Sequence, residues 1–139
     1  MADIVKIRSF FQGDHYAANS GIKIETVETD CVTCSMEITE LHLNAAGGVQ
    51  GGAIFTLADF TFAVHANQAL ALGEDTALIV GQSCAISYLK PARGKKLTAR
   101  SKCLSSGRNM SVYRIVITDD FGNNIAEMHG NGFKTHPKA

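Results

Sequence analysis

The segment Asn44-Ala-Ala-Gly47-Gly48-Val-Gln50-Gly51-Gly52 and the acid Asp59 beyond it are the residues whose types and spacing point to chemistry. Glycines let a backbone approach a ligand closely, and the free N–H groups of a helix start favour negative charge. The segment has no Gly-Lys-Ser/Thr ending, and Val49 stands where the middle glycine of G-x-G-x-x-G would be, so it is a poor phosphate cradle. Two readings stay open: an oxyanion hole, in which backbone N–H groups stabilise charge developing on a carbonyl oxygen, or a plain tight loop. Asp59 is the only acidic residue between Ala53 and Leu72, in a run that is otherwise mostly apolar. It is either a general base or nucleophile, or a carboxylate satisfied by solvent or by a neighbouring strand. His65 follows six residues on, about 240° around a helix, so it does not share the face of Asp59 and reads as a packing histidine.

The elements that must position these groups follow from pattern. Residues 4 to about 18 read as a short amphipathic helix that stops near Asn19-Ser20-Gly21. GIKIETVE and CVTCSMEIT, separated by Thr29-Asp30, mix β-branched and polar residues as a hairpin does. From Ala53 to about Leu72 the chain is apolar nearly all round and rich in helix formers, which predicts a buried central helix. Asp59, His65, Asn67 and Gln68 interrupt that run, so no membrane span is expected. Four strand-like segments follow, at 76–89, 96–104, 111–118 and 124–134, with turn residues between them. A buried helix with strands before and after it needs a sheet curved around it, which makes the chain one α+β domain over residues 1–139.

Composition narrows the function classes. Thirteen Lys and Arg balance thirteen Asp and Glu, so nucleic-acid binding has no global electrostatic support. With 45% hydrophobic and 19% charged residues the chain is poor in surface charge for a lone monomer, which favours self-association. Asp3, Lys6 and Arg8 stand where a secretory apolar region would be, so a cytoplasmic protein is expected. Cys31-x-x-Cys34 lies in a strand-like run, where residues three apart point to opposite faces, and Cys84 and Cys103 stand alone. No metal is predicted.

Three spaced blocks, Asn44-x-x-Gly47-x-x-Gln50-Gly51-Gly52, Phe55-Thr56-Leu57-Ala58-Asp59 and Ile86-Ser87-Tyr88-Leu89-Lys90-Pro91-Ala92, closely resemble the hotdog-fold acyl-CoA thioesterases of the phenylacetate-degradation (PaaI-like) type. The likeness spans nearly the whole chain. It implies an antiparallel sheet wrapped around the long helix, and a cofactor-free hydrolase of coenzyme A thioesters active as a homodimer or a dimer of dimers. By the same resemblance Asp59 matches the acid that attacks the thioester carbonyl or activates water. Gly51 matches the glycine whose N–H polarises that carbonyl, and Asn44 the amide that helps hold substrate or water. Gly52 adjoins them. Gln50 stands where the family usually carries His, and keeps a hydrogen-bonding side chain without a proton to shuttle near neutral pH. Gly81 falls where a Ser or Thr is usual, unless Ser83 or a shifted register supplies the hydroxyl.

Lys90, Arg93, Lys95 and Lys96 lie within seven residues, and Arg108 lies in the turn Gly107-Arg108-Asn109. The phosphates of coenzyme A would suit such cations at a cleft mouth, although a solvated hairpin tip has the same composition. Of these Arg108 is favoured, because the resembling family often has a basic Gly-Arg turn there. Gly51 and Asp59 are eight residues apart on one helix, about 12 Å along its axis, so one carbonyl cannot touch both. The assigned roles therefore require Gly51 of one subunit and Asp59 of another. Two rivals remain: a non-catalytic acyl-CoA binding protein on the same fold, and a hydratase or dehydratase, which would want a His paired with the Asp.

Overall fold

The computed structural model describes residues 3–136. Two short helices, α1 (Ile4–Phe11) and α2 (His15–Asn19), replace the single N-terminal helix expected from the pattern. Gly13 ends the first, and Asp14 begins the second by accepting a hydrogen bond from the Ala17 N–H at 3.0 Å, so a new N-cap wins over continuation. The hairpin of β1 (Ile22–Val27) and β2 (Val32–Glu37) follows, then a 3-10 turn over Glu40–His42 and the glycine-rich loop. Cys31 precedes β2, whereas Cys34 lies within it and is fully buried, which pushes its thiol up to about 12.

The central helix is α3 (Gly51–Ala66), followed by the single turn α4 (Gln68–Ala71). It starts two residues earlier than the apolar run, because Gln50 caps it through the Ala53 N–H at 3.2 Å. It breaks at Asn67, where continuity to Leu72 was expected. The Asn67 amide imitates a strand partner, donating to the Ile79 carbonyl at 2.9 Å and accepting from the Ile79 N–H at 2.8 Å. A side chain that must serve a neighbouring strand in this way cannot also continue a regular helix.

Strands β3 (Leu78–Tyr88), β4 (Lys96–Ser106), β5 (Met110–Thr118) and β6 (Asn124–Thr135) complete one antiparallel sheet of order β1-β2-β4-β5-β6-β3. The sheet wraps α3, whose Leu57, Ala58, Phe62 and Val64 are buried with Met36, Leu97, Ala99, Ile115, Ile117 and Met128 of the strands. This is the expected α+β hotdog arrangement. Among the described residues no helix is long and apolar enough to cross a membrane.

The two edges of the sheet are treated differently. At the β1 edge the pairing register shifts between Ile24 and Thr26, and the Arg8 guanidinium donates to the Ile24 carbonyl at 2.9 and 2.6 Å. A bulge and a cationic cap both prevent a further strand from adding there. At the other edge β3 runs for eleven residues with most of them exposed, including Leu78 and Val80. Such a long bare edge is a template for another strand.

Phe62 explains three glycines. Its ring lies 3.6, 3.5 and 3.3 Å from the points where side chains would begin at Gly81, Gly130 and Gly132, so the β3–β6 pair offers a smooth groove to an aromatic ring. At Gly132 a Cβ would also meet Ile79 at 2.6 Å and Ser111 Oγ at 3.0 Å. Gly132→Ala is therefore expected to destabilise the fold by about 1–3 kcal/mol through overpacking, whereas Gly81→Ala changes stability by no more than about 0.5 kcal/mol. Urea denaturation of the two variants checks the contrast.

Candidate active site

The loop before α3 is built by Asn44. Its side-chain oxygen accepts from the Ala46 N–H at 2.9 Å and the Gly48 N–H at 3.1 Å, and its own N–H donates to the Gly48 carbonyl at 2.7 Å. Gly47 takes a positive φ of 85°, which the turn requires and a side chain would resist. His42 fastens the far side: it is buried, its Nε2 meets the Ser20 carbonyl at 2.8 Å, its Nδ1 accepts from the Thr39 N–H at 3.0 Å, and its carbonyl receives the Gln50 N–H at 2.8 Å. The first N–H groups of α3 consequently project from a loop that is held at both ends.

Gly51, the first residue of α3, lines a cleft of about 420 Å³ with Asn44, Gly48, Tyr88, Lys90 and Pro91. Gln50 and Gly52 face a second cleft of about 610 Å³, shared with Tyr16, His42 and Thr56. Asp59 lies in neither. It is exposed two turns further along, in a separate cleft of about 310 Å³ bordered by Asp14, Tyr16, Phe55 and Phe60. Although its carboxyl reaches solvent, desolvation by the packed helices around it, and secondarily the like charge of Asp14, push it above the ordinary carboxylate range.

Within one chain the structure thus gathers Asn44, Gly51 and Lys90, and keeps Asp59 apart from them. The basic residues divide as well. Strand pairing puts Met110 beside Phe133 and Phe133 beside Val80, so the Gly107–Asn109 turn lies at the Leu78 end of β3. Lys90 and Arg93 follow Tyr88 at the other end, about 26 Å away along the strand. The Arg93 N–H donates to Asp119 at 3.0 Å, which fixes the connection between β3 and β4.

Two further residues of β3 lie close to these groups. Tyr88 donates its hydroxyl proton to the Gly51 carbonyl at 3.0 Å, and its only sequence signal was a place in the block Ile86–Ala92. Cys84 is the other. The register of β3 against β6 shifts between Gly81 and Ser83, which turns Ser83 away to accept from Asn131 at 3.0 Å and sets Cys84 beside Phe62 under α3. The hydroxyl missing at Gly81 is therefore not restored by Ser83. Burial, followed by the charge of Asp59, raises the Cys84 thiol, which keeps it protonated. His65 is the packing residue its spacing predicted: buried, 2.6 Å from Ser101 Oγ, edge-on to Tyr113, and with its pKa lowered chiefly by burial.

The acyl-coenzyme A thioesterase PaaI of Escherichia coli K12 is 29% identical over 128 residues, covering 91% of this chain and 86% of that protein. The structure of the E. coli PaaI protein from the phenylacetic acid degradation operon superposes with a TM-score of 0.83 at 25% identity, covering 94% of this chain and 91% of that one. A thioesterase from Haemophilus influenzae has the same fold, with a TM-score of 0.80 at 22% identity over 87% of this chain and 82% of that one. The family model of the thioesterase superfamily matches residues 46–126, from the glycine loop through α3 into β6. On that match, which takes in more than half of its residues, the chain belongs to the thioesterase superfamily.

Proposed function

We propose that the protein hydrolyses an acyl- or aryl-CoA thioester to the free acid and CoA, at sites shared between two copies of the chain. The observation that carries this reading is the layout of α3: an N–H donor at its glycine start, and a lone carboxylate two turns on, in a different cleft. In the reaction Asp59 takes the proton of a water that attacks the thioester carbon, or attacks that carbon itself to form an acyl anhydride that a water then hydrolyses to the free acid and Asp59. The Gly51 N–H receives the oxyanion, the C–S bond breaks, and the thiolate leaves and is protonated. A carboxylate held above its ordinary range is the better base for this step.

The second copy is supported by the asymmetry of the sheet edges. Antiparallel pairing of β3 with its counterpart would continue the bare edge and set the two α3 helices antiparallel. For Gly51 to meet the partner's Asp59, the two-fold axis must cross α3 at the level of Phe55, midway between them. The same pairing carries the partner's Gly107–Asn109 turn toward Lys90 and Arg93, so cations about 26 Å apart in one chain approach one another. On this reading Asn44, Gln50 and Gly52 shape the helix-start side. Lys90, Arg93, Gly107, Arg108 and Asn109 receive the CoA portion, and two such dimers associate. We assign the activity to the cytoplasm, in keeping with the four free cysteines among the described residues.

The rival reading, an acyl-CoA binding protein without turnover, draws on two observations: the Gln50 side chain is committed to capping α3, and no hydroxyl at Gly81 or Ser83 faces Asp59. Thiol release from saturating acyl-CoA separates the two. Short, long, aromatic and hydroxylated acyl groups should be screened with a thiol-detecting dye.

Asp59→Asn keeps the shape and removes the basic oxygen, so thiol release should fall at least about a hundredfold. The raised carboxyl gives a second sign. Its contribution to stability is fully present below the unfolded carboxyl's pKa and is lost as pH rises through the folded one. At pH 7 the charged group therefore opposes folding, and Asp59→Asn should melt no lower than the wild type, with any gain shrinking toward acid. Near-normal turnover in this variant contradicts the assignment.

Asp14→Asn tests the electrostatics separately, since Asn caps α2 as well as Asp does. Removal of the like charge should move the acid limb of the rate profile to lower pH. An unmoved limb, measured on the same substrate, contradicts the stated cause.

A further inference from the structure

We propose that Tyr88 is a positioning residue: its phenol ties the first turn of α3 to the sheet through the Gly51 carbonyl and so restrains the backbone of Gly51, whose N–H is the assigned donor. The inference rests on the oxyanion role assigned to that N–H above. Two consecutive glycines give a helix start the freest backbone available, whereas a donor that stabilises a transition state must be held to within a fraction of an ångström. Something outside the glycines has to supply that stiffness.

Two contacts at this turn are local. The Gln50 N–H donates to the His42 carbonyl at 2.8 Å, and the Gln50 side chain accepts from the Ala53 N–H at 3.2 Å. The hydroxyl of Tyr88, 3.0 Å from the Gly51 carbonyl, makes the one hydrogen bond among the described residues that joins the turn to the sheet. The phenol also fills the place of the absent side chain, with three of its atoms 3.2–3.4 Å from where a Gly51 Cβ would be. Gly51 therefore has two reasons to be glycine: close approach to a ligand, and room for this ring.

The anchor itself is rigid. Tyr88 ends β3 opposite Ala126 of β6, which is fully buried, and the Leu89 N–H extends the pairing to the Ile125 carbonyl at 2.8 Å. Yet the Tyr88 side chain is 51% exposed and lines the same cleft as Gly51, Asn44 and Lys90. The side chain borders the cleft and spends its hydroxyl on the backbone of Gly51.

Tyr88→Phe retains the ring and deletes the hydrogen bond. For acyl-CoA hydrolysis kcat should fall about tenfold or more, with KM within about twofold of wild type. A second readout isolates the oxyanion. A trifluoromethyl ketone analogue of the acyl-CoA, which presents a tetrahedral oxygen on hydration, should bind the variant about tenfold more weakly, while a thioether analogue lacking that oxygen binds both proteins equally. An active wild type with unchanged kcat in Tyr88→Phe overturns this inference alone. So does equal weakening of both analogues, which would make Tyr88 a general substrate contact. A wild type that releases no thiol from any acyl-CoA overturns the thioesterase reading, and this inference with it.

Discussion

The structure depends on the burial of one helix. Twelve of the sixteen residues of α3 are apolar or glycine, yet a sheet can cover only one side of a cylinder. The curved sheet takes Leu57, Ala58, Phe62 and Val64, and α1 takes Phe60, whose ring meets Phe11 edge-on at 5.7 Å. The strip that carries Gly52, Phe55, Asp59 and Ala63 remains open or half-covered in the single chain. The bare edge of β3 and this strip together favour a second copy, and a carboxylate on a surface awaiting cover is where desolvation has most effect. On the proposed reading the same shortage of cover leads both to assembly and to catalysis.

The second constraint is the start of that helix. Asn44 spends its side-chain oxygen on the loop, Gln50 spends its own on the cap, and His42 joins the loop to the end of α2. These polar groups serve the position of a backbone. The Gln50 that departs from the resembling family's histidine is thus accounted for as a structural element: an N-cap needs an acceptor, which a glutamine supplies at any pH.

Much of this was legible in the sequence, for reasons that can be named. The central helix, the hairpin and the four later strands were read from apolar runs separated by turn residues, because periodicity and turn chemistry are local signals. The breaks at Gly13 and Asn67 were not foreseen. Each depends on a side chain competing with the helix: Asp14 as a new cap, and Asn67 through a strand twelve residues away. At the site, the glycine loop and Asp59 stood out through type and spacing, the family resemblance singled out Gly51, and simple helix geometry separated Gly51 from Asp59. Cys84 and the outward turn of Ser83 could not be read in advance, because a register shift within a strand leaves no mark in alternation. Tyr88 lay within a quoted block, yet its bond to Gly51 spans 37 residues and is a fact of packing alone.

Catalysis at a shared site requires Gly51 and Asp59 to act across two chains, and mixing two inactive variants tests that most directly. Asn44→Ala removes the side chain that builds the loop carrying Gly51, and Asp59→Ala removes the carboxylate. Each is first shown to be inactive and folded; the two are then unfolded and refolded together. A mixed dimer holds one doubly broken site and one wild-type site, and random pairing makes half the dimers mixed. About a quarter of wild-type activity should therefore return. No recovery, with mixed dimers demonstrated by native mass spectrometry, would contradict the shared site.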